Sequence, residues 1–363
     1  MTNGDLKLVP LKVIVDEPVK KNKILNRLIL SFAIIPFIFS SACQRPHSER
    51  SVVIYASVDQ VYSEPILKAF QEKTGVRVRA VYDVEASKTT GLVNRLIAEK
   101  DRPQADVFWS GEFAQTILLK EKGALASYSS PSATDIPSQY RDPQGYWTGY
   151  AARARVLIVN TDAVSPAKFP KSIFDLLSTR WPAEKIGIAY PIFGTTATHA
   201  AALYAFLGAK EGKAFFENLR KRRVRIADGN SMVRDLVASG QLMFGLTDTD
   251  DACGAKKKGS PVAILFPDQG EKALGTLIIP NTVAWVANGP CPKEAKELID
   301  FLLSKEVEKQ LVELGWCHIP SRQLGIRPAC FDVSNVKAME VSLVDVYKQL
   351  EVAKRELTQV FIR

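Results

Sequence analysis

The chain has 363 residues, of which 46% are hydrophobic and 24% charged, with a formal net charge of +9. That apolar content suffices for packed cores and argues against a disordered chain. The densest basic cluster, Arg220-Lys221-Arg222-Arg223, has no interleaved aromatics, so the charge does not point to nucleic acid.

Residues 1–43 read as an export signal. Lys20, Lys21, Lys23 and Arg27 form a positive n-region, and Leu28 to Phe39 is an apolar run broken only by Ser31 and Pro36. The run falls short of the ~20 residues that span a bilayer. Ser40-Ser41-Ala42-Cys43 resembles a bacterial lipobox, with Cys43 lipidated as the first mature residue and Ser40 where Leu is usual. A plain cleaved signal and an uncleaved anchor are the alternatives. Residues 44–51 are then a polar tether. The first 42 residues hold six Lys/Arg and three Asp/Glu, so about +6 remains on the mature chain.

Ser51 to Ala56 is β-branched and apolar and predicts a first strand. Glu64 to Lys73 has helical spacing at Ile66, Leu67, Ala69 and Phe70, with Gly75 as a C-cap. Val76 to Tyr82 alternates as a second strand, Thr90 to Ile97 predicts a helix, and Asp106 to Trp109 a third strand. A helix ending near Gly123 follows Gly111 and Glu112. The rhythm resumes with strands at Val156–Val159, Ile186–Ala189 and Leu242–Leu246. Strands alternating with helices predict parallel βαβ units and an α/β fold. One helix is expected over Glu294–Leu314, and one or two terminal helices over Val333–Arg363, packed on the outside.

Three aspartates, Asp248, Asp250 and Asp251, leave the carboxyl end of the strand ending at Leu246. In open α/β sheets ligands bind beyond those strand ends. Acids there meet a cation, an amine or a hydroxylated ligand; the alternative is a solvated acidic turn. Cys253, Cys291, Cys317 and Cys330 contain no CxxC pair, so zinc and thioredoxin chemistry have little support. In an exported chain four cysteines allow three pairings. Cys317 with Cys330 is preferred because both lie near the C-terminal end; free buried thiols are the alternative.

The segment order resembles the periplasmic solute-binding proteins of ABC importers, in particular the ferric-iron-type branch. Four stretches carry the resemblance: Val53-Ile54-Tyr55-Ala56-Ser57, Ala105-Asp106-Val107-Phe108-Trp109-Ser110, Tyr190 to Thr198 with its Gly194-Thr195-Thr196-Ala197-Thr198 core, and Asp228-Gly229-Asn230-Ser231 followed by Val237 to Gly240 and Gly245 to Asp250. Together they span roughly residues 52–325. The resemblance implies a two-lobe type II periplasmic-binding-protein-like fold with two hinge crossovers, near Gly149–Val156 and Leu277–Trp285. Lobe one would be residues 52–150 plus 284–325, lobe two 151–283, and 326–363 a C-terminal helical extension. It also implies a monomer that hands its ligand to an ABC permease in the inner membrane.

Iron-binding members hold Fe(III) with two adjacent tyrosines, a His and a Glu, plus a synergistic anion. By position the tyrosine pair falls on Asp250 and Asp251, the histidine on Asp59, and the glutamate beside Gly111 at Glu112. The phenolate pair is missing, which leaves Asp59, Asp250 and Asp251 as carboxylate ligands for a hard cation. The anion half is matched better. Gly194-Thr195-Thr196 opens an apparent helix whose free N–H groups and dipole favour an anion, with Asn230, Ser231 and Arg153 or Arg155 as further donors. A simple Thr N-cap is the alternative.

Two ligand classes fit: Fe(III) or another cation with an anion, or a phosphorylated or phosphonate organic anion whose amine or hydroxyls meet the aspartates. No catalytic cofactor is expected. A hydrolase is the distant alternative, since no G-x-S-x-G, P-loop or HExxH occurs. His199 reads as a helix residue, and Cys317-His318 as neighbours on opposite faces.

Overall fold

The computed structural model describes residues 50–82, 90–316, 319–326 and 328–362. The export signal with Cys43, most of the tether, and Cys317-His318 lie outside the described residues. Ten strands join in sheet order β2-β1-β3-β10-β5-β8-β6-β7, with β4 on β10 and β9 on β5. In chain order these are β1 (Ser51–Ala56), α1 (Gln60–Thr74), β2 (Arg77–Tyr82), α2 (Thr90–Ala98), β3 (Val107–Ser110), α3 (Ala114–Glu121), β4 (Leu125–Ala126) and β5 (Trp147–Asn160). Then come β6 (Ile186–Ala189), α4 (Gly194–Leu207), α5 (Ala209–Arg222), β7 (Arg225–Ala227), α6 (Asn230–Ala238), β8 (Phe244–Asp248), α7 (Thr249–Lys257) and β9 (Val262–Leu265). The chain closes with β10 (Ile278–Val286), α8 (Pro292–Leu302), α9 (Lys305–Leu314) and α10 (Leu343–Phe361).

Two parallel triplets, β2-β1-β3 and β8-β6-β7, flank the antiparallel pair β10-β5. Each parallel strand is followed by a helix, as the alternation requires. In α1 the residues Ser63, Ile66, Leu67 and Phe70 are buried at helical spacing, and Gly75 ends the helix at φ 69°, its N–H on Gln71 O.

Strand β5 is the connection between the two halves. Trp147 to Ala154 pair with β10, and Arg155 to Asn160 pair with β8 and β9. Every one of its 14 residues is buried. Between the two pairings Ala151 takes φ 46°, opposite a register shift at Ile279/Asn281. The kink is pinned by two side chains. Ala151 N–H donates to Glu308 Oε1 at 3.0 Å, and the Asn281 amide donates to Ala151 O.

Three expectations need correction. The region Glu294–Leu314 is two helices, because Ser304 caps a new one, its hydroxyl accepting from Val307 N–H at 3.3 Å. The C-terminal segment contains one helix, α10, within the one or two expected, but it is not peripheral. Val346, Leu350, Ala353, Leu357 and Phe361 form a buried stripe packed against α4 and α5. The disulfide joins Cys253 to Cys330, 77 residues apart with Cα atoms 5.7 Å apart, rather than Cys317 to Cys330. Proximity along the chain was the wrong guide, because Cys253 on α7 lies against the returning segment after residue 326. Cys291 is a free thiol. Among the described residues no helix is long and apolar enough to cross a membrane.

Candidate ligand site

The carboxyl ends of β6, β7 and β8 deliver the N-termini of α4, α6 and α7 to one place. The ends of β1 and β3 face them. Between them lies a cleft of ≈ 510 Å³ lined by Ser57, Asp59, Tyr62, Gly111, Glu112, Arg153, Gly194, Thr195, Gly229, Asn230, Ser231, Arg234, Asp248, Asp250, Asp251, Gly254, Lys258 and Trp316. Asp59, Glu112, Arg153, Gly194, Thr195, Asn230, Ser231, Asp250 and Asp251 are thus brought together as the sequence suggested. Thr196 is not on the cleft wall; it is 2% exposed and turned inward.

Four of the helix N-termini at the cleft, those of α3, α4, α6 and α7, differ in how their N–H groups are answered. In α3 the Glu112 carboxylate accepts from Ala114 N–H at 2.8 Å and Gln115 N–H at 2.9 Å. Glu112 therefore serves as a helix cap and has little left for a ligand. In α7 Asp250 and Asp251 themselves occupy the first turn. In α4 the first intrahelical bond is Ala197 N–H to Phe193 O, and in α6 it is Val233 N–H to Gly229 O. The preceding N–H groups of both helices have no intrahelical acceptor, and Gly194, Thr195, Asn230 and Ser231 line the cleft, where the dipoles favour negative charge.

The Thr and Asn side chains assigned to the anion are used elsewhere. Arg155, 0% exposed, reaches Asp248 at 2.6 Å and also donates to Thr195, Thr196 and Asn230. Thr195 Oγ1 donates to Asp248 at 2.6 Å, and Asn230 Nδ2 donates to Asp248 at 3.1 Å and Thr195 at 2.8 Å. This buried network cements β5, α4, α6 and β8 under the cleft floor.

Each of the three aspartates has its own guanidinium. Asp248 takes Arg155, Asp250 takes Arg153 at 3.4 Å, and Asp251 takes Arg234 at 3.1 Å. Arg153 also donates to Gly111 O at 2.7 Å across the cleft floor and lies 4.7 Å from the Trp316 ring centroid. Burial pushes Asp248 upward, but Arg155 and then Arg153 outweigh it and hold the carboxyl below its ordinary value. Asp250 is raised, chiefly by burial, with Arg153 opposing. Burial raises Asp251 to about 8, helped by the charges of Asp250 and Asp248 and opposed by Arg234 and Arg153.

Sequence reasoning missed Arg234, Lys258 and Trp316. Arg234 was legible in principle, since it stands one helical turn beyond Asn230 and faces the same way. Nothing local marks Trp316, which arrives from beyond α9 and packs on Tyr62 with ring centroids 5.2 Å apart.

A family model described as bacterial extracellular solute-binding protein matches residues 103–333. A Salmonella typhimurium protein, named provisionally as a 2-aminoethylphosphonate-binding periplasmic protein, is 28% identical over 291 residues, covering 77% of this chain and 81% of its own. The Fe(3+)-binding periplasmic protein of Serratia marcescens is 26% identical over 203 residues, 56% of this chain and 58% of its own. Among solved structures, iron-bound HitA from Pseudomonas aeruginosa superposes with a TM-score of 0.75 at 23% identity, over 85% of this chain and 99% of that one. The expected two-lobe type II architecture is borne out by that likeness, with β5 and β10 passing between the halves. With 231 residues matched in sequence order around this cleft, the chain belongs to the bacterial extracellular solute-binding proteins.

Proposed function

We propose that this binding component of an ABC importer captures a small organic solute carrying a phosphoryl or phosphono group. The anionic end sits on the N-termini of α4 and α6, and an ammonium or hydroxyl end faces Asp250 and Asp251. One observation carries the reading. The N-termini of α4 and α6 stand beside carboxylates that already have guanidinium partners, so the cleft has an unanswered demand for negative charge and little for a metal ion. The cleft volume of ≈ 510 Å³ suits a ligand of that size.

A second reading, Fe(III) or another hard cation bound with an anion, is favoured by a different observation. One ligand atom each from Asp248, Asp250 and Asp251 lie within 4.8 Å of one another. Calorimetric titration of the purified protein with 2-aminoethylphosphonate, sugar phosphates and ferric citrate separates the two. Heat with the phosphorus compounds, lost in Asp250→Ala plus Asp251→Ala, supports the first. Binding of ferric citrate alone replaces it with the second.

In this reading residues 52–150 plus 284–325 form lobe one, 151–283 lobe two and 326–363 an extension. The protein works as a monomer, delivers its ligand to a permease without chemistry, and is held at the envelope by a lipid on Cys43. Cys43→Ser then moves it to the soluble envelope fraction; unchanged membrane fractionation would refute the anchor.

A further inference from the structure

We propose that Arg153 determines which class of ligand the cleft accepts, acting as a built-in counter-cation that excludes metal ions from the Asp248–Asp250–Asp251 cluster. The inference rests on the organic-anion reading above and names the residue that enforces it.

The three carboxylates have the proximity of a hard-cation site, with ligand atoms within 4.8 Å of one another. Two of the three guanidiniums serve one carboxylate of the cluster each: Arg155 serves Asp248, and Arg234 serves Asp251. Arg153 alone among the described arginines approaches two, with Nη1 3.4 Å from Asp250 Oδ2 and 4.0 Å from Asp248 Oδ2. An incoming cation that bridged those carboxylates would meet this positive charge at contact distance, where repulsion at the protein surface is strong.

The guanidinium is also held in place. Its Nη2 donates to Gly111 O at 2.7 Å, and its Cζ lies 4.7 Å from the Trp316 ring centroid. Moving it aside would break both contacts. A second feature independently shows coordinating capacity in the cluster. Asp250 Oδ1 is buried and has no hydrogen-bond partner among the described residues. Buried carboxylate oxygens are normally satisfied. Removing the Arg153 charge therefore leaves Asp250 with one oxygen unanswered and no guanidinium partner, beside the carboxylates of Asp248 and Asp251.

The test is a terbium titration followed by sensitised emission, with Trp316 on the cleft wall as the antenna. Arg153→Met keeps an unbranched side chain beside Trp316 while deleting the charge, and Arg153→Lys keeps a charge. We expect Arg153→Met to bind Tb3+ ~100-fold or more tightly than wild type, Arg153→Lys to behave as wild type, and Asp250→Asn added to Arg153→Met to abolish the gain. Melting curves establish that each variant is folded; if Arg153→Met is not, Arg153→Gln takes its place. Equal Tb3+ affinity in wild type and the neutral variant overturns the assignment and leaves the organic-anion reading standing. Tight Tb3+ binding by wild type, lost in Asp250→Asn, overturns both. Absence of phosphonate and phosphate binding by wild type sinks the organic-anion reading alone.

Discussion

Arg155 Nη1 lies 2.6 Å from Asp248 Oδ1, with the arginine fully buried and the aspartate 3% exposed. This pair holds β5 to the end of β8 at the floor of the cleft. Breaking a buried pair from one side strands a charge, which typically costs about 3–5 kcal/mol. Arg155→Met should therefore destabilise the protein by an amount in that range. Arg155→Met with Asp248→Asn should cost less than Arg155→Met alone, since no charge is then stranded. Urea unfolding of the two variants measures the difference; equal losses would show that Asp248 is held by Thr195 and Asn230 without help from the arginine.

His199 sits on α4 beneath the same network. Burial, with the nearby Arg155 charge, lowers it to about 3, and neither ring nitrogen has a hydrogen-bond partner among the described residues. In the unfolded chain a histidine titrates near 6.5. Below that value the unfolded state binds a proton that the folded state refuses, so stability falls as pH drops from about 6.5 toward 3. The slope contributed by one such group approaches ~1.4 kcal/mol per pH unit. His199→Phe should flatten the decline measured by urea unfolding between pH 6.5 and 4.5. An unchanged slope would assign the acid sensitivity to other groups.

The strands were legible because parallel-sheet cores need apolar runs of fixed length. Ser51–Ala56 and Ile186–Ala189 form where the side chains require. Many members of the cleft were also readable, because strand ends converge by topology, though Arg234, Lys258 and Trp316 were missed. What each member does was not. Glu112 lies at the expected place, yet its carboxylate is spent on two N–H groups of α3. Asp250 is answered by Arg153, 97 positions earlier in the chain, and Asp248 by Arg155, 93 positions earlier. Counter-charges over such separations are fixed by the register of β5 on β8, which local pattern does not reveal. The α8–α9 break was missed for a different reason, since both helices keep the same apolar period across Ser304.

The Cys253–Cys330 bridge closes a separation of 77 residues and ties α7, which carries Asp250 and Asp251, to the segment leading to α10. Chain-entropy arguments give about 4.5 kcal/mol for a loop of that length. Reduction, or Cys330→Ser, should lower the denaturation midpoint in urea by a comparable free energy. Lys256 Nζ donating to Cys330 O at 2.9 Å holds the same junction without the bridge. Ligand affinity should therefore fall less than stability does. A loss of affinity as large as the loss of stability would show that the bridge positions the aspartates directly.

Ala151 stands at the kink of β5 with φ 46°, a conformation costly for any residue with a Cβ. Three buried groups hold it there. Glu308, 0% exposed, accepts from Ala151 N–H, from Ser321 N–H at 2.6 Å, from Ser321 Oγ at 2.7 Å and from Arg322 Nε at 2.7 Å. The Asn281 amide donates to Ala151 O, and Trp316 Nε1 donates to Asn281 Oδ1 at 3.1 Å. The kink thus communicates with Trp316 and, through its stacked ring, with Arg153 in the cleft. Ala151→Gly should relieve backbone strain at the expense of unfolded-chain entropy, so its net stability change should stay within about 1 kcal/mol. Ala151→Val adds a β-branched side chain to the same strained backbone and should cost about 2 kcal/mol or more. Glu308→Gln leaves fewer acceptor sites for the same four donors and removes the partner of Arg322, so a loss of about 3 kcal/mol is expected. Thermal and urea unfolding of the three variants would give that order. A Gly variant as damaged as the Val variant would mean that the fold needs the Ala151 methyl group itself, rather than merely tolerating it.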